Sequence, residues 1–116
     1  MDSIFGDCGG LIMDISKNDW KLFRERLPGW QERYMANLLQ EYSAIIAQDS
    51  ASSDRFWALD ERIKRDKKSP GVIMSPSKSD LPWDLARMIH EGIISMDDLS
   101  GFSQDLLDGI NLILRR

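Results

Sequence analysis

The sequence predicts an all-α protein, a single small domain of about five helices. Three observations carry that expectation. Apolar residues recur at i, i+3/i+4 and i+7 in five stretches, the repeat of a helix with one buried face. Ser-x-x-Asp spacings, in which a hydroxyl caps a helix and an acid follows three residues later, precede two of them. Glycine- or proline-containing segments separate several of the rest. A chain of 116 residues, 42% apolar and 29% charged, suits one modest core.

In chain order, residues 1–13 hold Gly6-Asp7-Cys8-Gly9-Gly10 and read as a flexible N-terminal arm, with the helical domain over 14–116. Ser16-Lys17-Asn18-Asp19 opens a first helix through about Leu27, with Trp20, Phe23 and Leu27 on one face. Pro28-Gly29 is expected to break it. The second helix, from about Gly29 to Gln48, carries the stripe Trp30, Tyr34, Leu38, Tyr42 and Ile45 or Ile46, widened by Met35 and Leu39. After a polar connector at 49–53, a third helix places Phe56, Leu59 and Ile63 towards the core, with Trp57 beside them, and ends near Asp66. Residues 67–79 form an irregular connector built on Ser69-Pro70-Gly71 and Ser75-Pro76, with a short extended piece at Val72-Ile73-Met74. The fourth helix starts near Ser79, buries Leu81, Leu85, Met88 and Ile89, and stops at Gly92. Gly92 is expected to turn a helical hairpin, from which a fifth helix runs from Ser95 to the end with Leu99, Phe102, Leu106, Ile110 and Ile113 on one face.

Charge and cysteine usage exclude several functions. One cysteine, Cys8, forbids an intramolecular disulfide, and with one histidine, His90, no Cys/His zinc site forms within a chain. No stretch approaches the roughly 18 apolar residues of a membrane span, and the acidic N-terminus lacks the order of a signal peptide. The cytoplasm is therefore the expected compartment. The net charge is −4, with a single basic run, Arg62-Ile63-Lys64-Arg65-Asp66-Lys67-Lys68. Such a chain is poorly suited to gripping a phosphate backbone. A protein partner with a basic surface, or one that itself binds nucleic acid, is the better electrostatic match. A homodimer stays open.

No catalytic constellation emerges. Gly6-Asp7-Cys8-Gly9-Gly10 looks like the nucleophile signature of chymotrypsin-like proteases, but their histidine precedes the nucleophile and two β-barrels place it. Here the sole histidine follows Cys8 in a helical chain. No Gly-Lys-Ser/Thr follows the glycines to make a phosphate cradle. Asp97, Asp98, Asp105 and Asp108 read as capping and solvated acids, since no D-x-D-x-D-G calcium loop is present. No cofactor, metal or catalytic residue is assigned.

Residues 85–107, with Gly92-Ile93-Ile94-Ser95 at their turn, resemble short bacterial C-terminal oligomerisation modules, with Asp98-Leu99 where those have Glu-Phe. They also brush against a helix-turn-helix, but Met88 stands where a small residue is expected and the next helix is acidic. The wider chain, through Asp54–Lys64, Asp66–Val72 and Gly92–Ile94, is similar to a family of short helical proteins from Gram-positive bacteria and their mobile elements. The resemblance implies a bacterial or phage origin and supplies no enzymatic activity to carry over. The expected function is thus a non-enzymatic, protein-binding accessory or inhibitor, one concrete form being an inhibitor of a host defence nuclease, of the anti-CRISPR kind. The alternative is a regulator touching nucleic acid through residues 62–68. Candidate partner-binding residues are Trp57, Arg62, Lys64, Arg65, Lys67, Lys68 and Trp83, because interface energy concentrates in aromatic and arginine anchors.

Overall fold

The computed structural model describes residues 14–116, so the expected arm over 1–13, with Cys8 and its glycines, lies outside the described residues. Among the described residues are four α-helices and no strand: α1 (Lys17–Ile46), α2 (Ser52–Asp66), α3 (Leu81–His90) and α4 (Gln104–Leu114). Single 3-10 turns at Lys78–Asp80 and Met96–Leu99 lead into or link them. The all-α expectation stands, but the count of five does not.

Two differences explain the count. Pro28 lies inside α1, which runs through the expected break. A mid-helix proline costs roughly 3 kcal/mol, yet the stripe Phe23, Leu27, Trp30, Tyr34, Leu38 keeps its i+3/i+4 spacing across it. Four of those five side chains are buried, and burying large side chains at roughly 1.5–3 kcal/mol each outweighs one lost hydrogen bond. The expected fifth helix is instead a 3-10 turn and α4, separated by Ser100-Gly101-Phe102-Ser103. Gly101 has φ +96°, and the Ser103 hydroxyl caps α4 by accepting from the Leu106 N–H at 3.3 Å.

The described residues divide into two compact units, 14–25 with Pro76–Arg116, and Arg26–Ser75. In the first, α3 packs against α4. Phe23, Leu81, Leu85, Met88, Leu99, Leu106 and Ile110 are fully buried, with Ile93, Ile94 and Phe102 nearly so. Gly92, at φ +77°, ends α3. Its N–H donates to the Ile89 carbonyl at 3.0 Å and the Ile93 N–H to the Met88 carbonyl at 2.9 Å, the paired bonds of a Schellman stop. The chain then enters the Met96–Leu99 turn, which Asp98 caps by accepting from the Ser95 N–H at 2.8 Å. The two-helix hairpin expected at Gly92 is therefore a longer, two-step connection.

The acid of the first capping spacing has a different role. Asp19 follows Ser16 as expected, and its N–H donates to the Ser16 hydroxyl at 3.0 Å. Its carboxylate, 2% exposed, accepts from the Ser103 N–H at 2.9 Å and the Ser103 hydroxyl at 2.5 Å. One buried acid thus ties the start of α1 to the start of α4.

The second unit is a helical pair, the later part of α1 and α2, followed by a turn. Tyr34 lies over Gly71 so closely that a Cβ there would fall on its ring. The Gln31 amide donates to the Pro70 carbonyl at 3.0 Å. Only Leu27, Trp30 and Leu38 are buried large apolar residues in this unit.

Candidate functional site

The helical pair is held together by polar contacts that fix which side of α2 meets α1. Arg55 donates to the Ile46 carbonyl at 2.7 Å, capping the end of α1. Arg62 donates to Glu41 at 2.6 Å and lies 3.5 Å from Asp66 and over the Tyr42 ring. The Tyr42 hydroxyl donates to Asp66 at 2.7 Å. Burial and the Asp66 carboxylate push the Tyr42 phenol up to about 12. Burial raises Asp66, but the Tyr42 and Arg65 hydrogen bonds and the neighbouring arginine charges outweigh it and leave its carboxyl below the ordinary range. Apart from the buried Nε atoms of Arg55 and Arg62, which have no hydrogen-bond partner among the described residues, these polar groups pair with one another, which is the chemistry of a structural clasp.

The opposite condition holds on the adjoining face. Leu39 is 63% exposed, Ile46 54%, Phe56 64%, Trp57 63% and Ile73 67%, and Ile63 lies at the margin of exposure. Six large apolar side chains face outwards in the unit that buries three. Phe56 and Trp57 meet edge to face, ring centroids 5.0 Å apart. An apolar groove of about 280 Å³ is lined by Met35, Leu38, Leu39 and Tyr42 of α1 and by Ile63, Asp66, Lys67 and Val72. Leu39 and Ile46 are seven residues apart on α1, as are Phe56 and Ile63 on α2, so each pair lies within about 20° on its helix. The groove therefore continues into an apolar stripe on each helix. Contiguous exposed apolar surface of this kind marks an interaction site.

The sequence-predicted partner residues fall in different surroundings. Trp57 is exposed at the edge of this face. Lys67 lines the groove and Lys68 follows it, both exposed. Lys64 pairs with Asp60 at 3.0 Å, Arg65 lies 3.3 Å from Asp66, and Arg62 is engaged in the clasp. Three of the five cations of the basic run are thus matched by carboxylates. Trp83 belongs to the other unit, where Arg116 lies 5.6 Å above its ring beside a shallow hollow that includes Arg87 and His90. The expectation that Phe56, Leu59 and Ile63 form the core face of α2 is corrected: Leu59 is half-buried, while Phe56 and Ile63 are exposed, because the side of α2 that meets α1 is the polar one carrying Arg55, Arg62 and Asp66. Leu39, Ile46, Phe56 and Ile73 were missed as surface residues, since apolar periodicity marks a face without saying what covers it.

Among the described residues, no three metal-capable side chains converge, and no helix is long and apolar enough to cross a membrane. Asp97 and Asp98 lie in the 3-10 turn, Asp105 and Asp108 along α4, and Asp108 accepts from the Gln104 amide at 2.9 Å. Comparison with known proteins finds no matching family model, no matching curated protein and no matching solved structure.

Proposed function

We propose that this protein acts by binding protein, through the apolar face of the α1–α2 pair, and that it carries out no reaction of its own. One observation supports the reading above all: the second unit exposes Leu39, Ile46, Phe56, Trp57, Ile63 and Ile73 while burying Leu27, Trp30 and Leu38. Leaving that much apolar area in water forgoes about 25 cal/mol for each Å² that a partner would cover. The aromatic pair Phe56–Trp57 supplies the rigid, large-area anchors on which interfaces depend. The inhibitor form expected from the sequence, directed at a host defence nuclease, would likewise act by docking and no further chemistry.

Affinity purification of a tagged protein from its native cells tests the reading. The surface variant Phe56→Ser with Trp57→Ser is expected to lose the proteins, a second copy included, that the wild type retains. Both side chains are exposed, so thermal unfolding should shift little. The variant Cys8→Ser with His90→Ala and Asp98→Asn is expected to keep them, along with any cellular phenotype. Loss of phenotype with the second variant and full retention with the first would overturn the proposal and favour chemistry at those groups.

A further inference from the structure

Resting on the docking reading above, we infer that the occupant of the α1–α2 face is a second copy of this chain, its α2 antiparallel to the first. Side chains along the free side of α2 follow a definite order. At 100° per residue, Phe56, Asp60, Ile63 and Lys67 lie on one stripe, with Trp57 and Lys64 along one edge. The opposite edge, with Arg55, Arg62 and Asp66, is spent on α1. The free stripe is aromatic at its N-terminal end, carries Asp60 and Lys64 in the middle, and is cationic at its C-terminal end.

That order is self-complementary in one direction only. A parallel copy would set Asp60 beside Asp60 and Lys64 beside Lys64, like charge against like. An antiparallel copy, related by a two-fold axis at the level of Arg62, sets Asp60 of each chain opposite Lys64 of the other. The same operation places Trp57 of each beside the other's exposed Lys67, so a cation can lie on an indole face. Asp60 and Lys64 pair within one helix at 3.0 Å, and the lysine side chain is 70% exposed, leaving it free to bridge both acids. An isologous contact of this kind repeats each favourable pair twice. It also places the stripes carrying Leu39 and Ile46 where they flank the new seam, so that two helical pairs become one four-helix arrangement with the apolar residues inside. A different partner would need to match the aromatic, acid, base, cation order by coincidence. The second copy matches it by symmetry.

Sedimentation equilibrium on the full chain and a mixing experiment test this. Wild type is expected to be dimeric at concentrations on the order of 10–100 µM, an ordinary range for a modest homodimer interface. Asp60→Lys makes the middle of the stripe wholly cationic and Lys64→Asp makes it wholly anionic, so each variant alone is expected to self-associate at least about tenfold more weakly. A one-to-one mixture restores Lys against Asp across the axis and is expected to return to within about threefold of wild type. Loss of the intrahelical pair cannot produce that rescue, because each variant keeps its own defect in the mixture. Circular dichroism checks that both variants keep their helix. A wild type that stays monomeric to 1 mM, or single variants that mixing does not rescue, overturns the inference. If the wild type is monomeric while the Phe56→Ser, Trp57→Ser variant still loses a different bound protein, the docking reading stands and the second copy is ruled out as its occupant.

Discussion

Replacing Asp19 by Ala should be among the most damaging single changes in the first unit, although the residue is one acid on the first turn of a helix. Its carboxylate is 2% exposed and accepts two hydrogen bonds from Ser103, one from the N–H at 2.9 Å and one from the hydroxyl at 2.5 Å. Hydrogen bonds to a charged group contribute about 1.5–3 kcal/mol each. The cost of burying the carboxylate offsets part of that, and Ser103 is exposed, so water can satisfy it after the change. A net loss of about 2–3 kcal/mol results. For a chain of this length, that corresponds to a fall in Tm of about 8–15 °C. Ser103→Ala removes one of the two bonds and the cap on the Leu106 N–H at 3.3 Å, and should cost about 2 kcal/mol. Urea unfolding of wild type, both single variants and the double variant closes a cycle, with an expected coupling of about 1 kcal/mol or more. If Asp19→Ala costs under about 0.5 kcal/mol, or the cycle is additive, the buried tie is not formed and the reasoning fails.

Three further outcomes are expected. Gly92→Val should destabilise by about 1–2 kcal/mol in urea unfolding, because φ is +77° there and a β-branched residue resists it; no neighbouring atom obstructs a Cβ, so the whole effect is backbone strain. Gly71→Ala should cost about 1–3 kcal/mol for a different reason, collision with the Tyr34 ring, and Tyr34→Ala in the same chain should recover part of it. Burial and the Asp80 carboxylate push Asp84 up to about 6, against an ordinary 3.8. The folded state therefore holds that proton more tightly, and the stability it contributes is complete below about pH 3.8 and lost as pH rises to about 6. Asp84→Asn should consequently raise stability at pH 7 by about 1 kcal/mol, the full shift being discounted for solvent exposure, and change little at pH 4; equal melting at both pH values would contradict this.

The helical class was legible because stripes and caps are local. Phe23, Leu38, Leu85, Leu106 and Ile110 were all placed on buried faces from spacing alone, and all are buried. The boundaries were less legible where tertiary burial competes with local propensity. Pro28-Gly29 is a strong stop, yet α1 continues because Leu27 and Trp30, on either side of it, are both buried. The spacing Leu99, Phe102, Leu106, Ile110 imitates one helix although Gly101 and Ser103 interrupt it, and those two residues were the available signal. The role of Asp19 was illegible, since its partner is 84 residues away. The docking face was half legible. Trp57 was singled out, but Phe56 and Ile63 read as core because an apolar stripe is the same pattern whether its own chain or another covers it.

The central claim is that position 57 is covered by protein in the cell. A photo-reactive phenylalanine analogue placed there, with the same analogue at the exposed α4 position Asn111 as control, tests it most directly. An efficient, discrete crosslink from position 57 to a protein is expected, at the mass of two copies if the antiparallel pairing holds, with little from position 111. No crosslink at 57 above the level at 111 would contradict it.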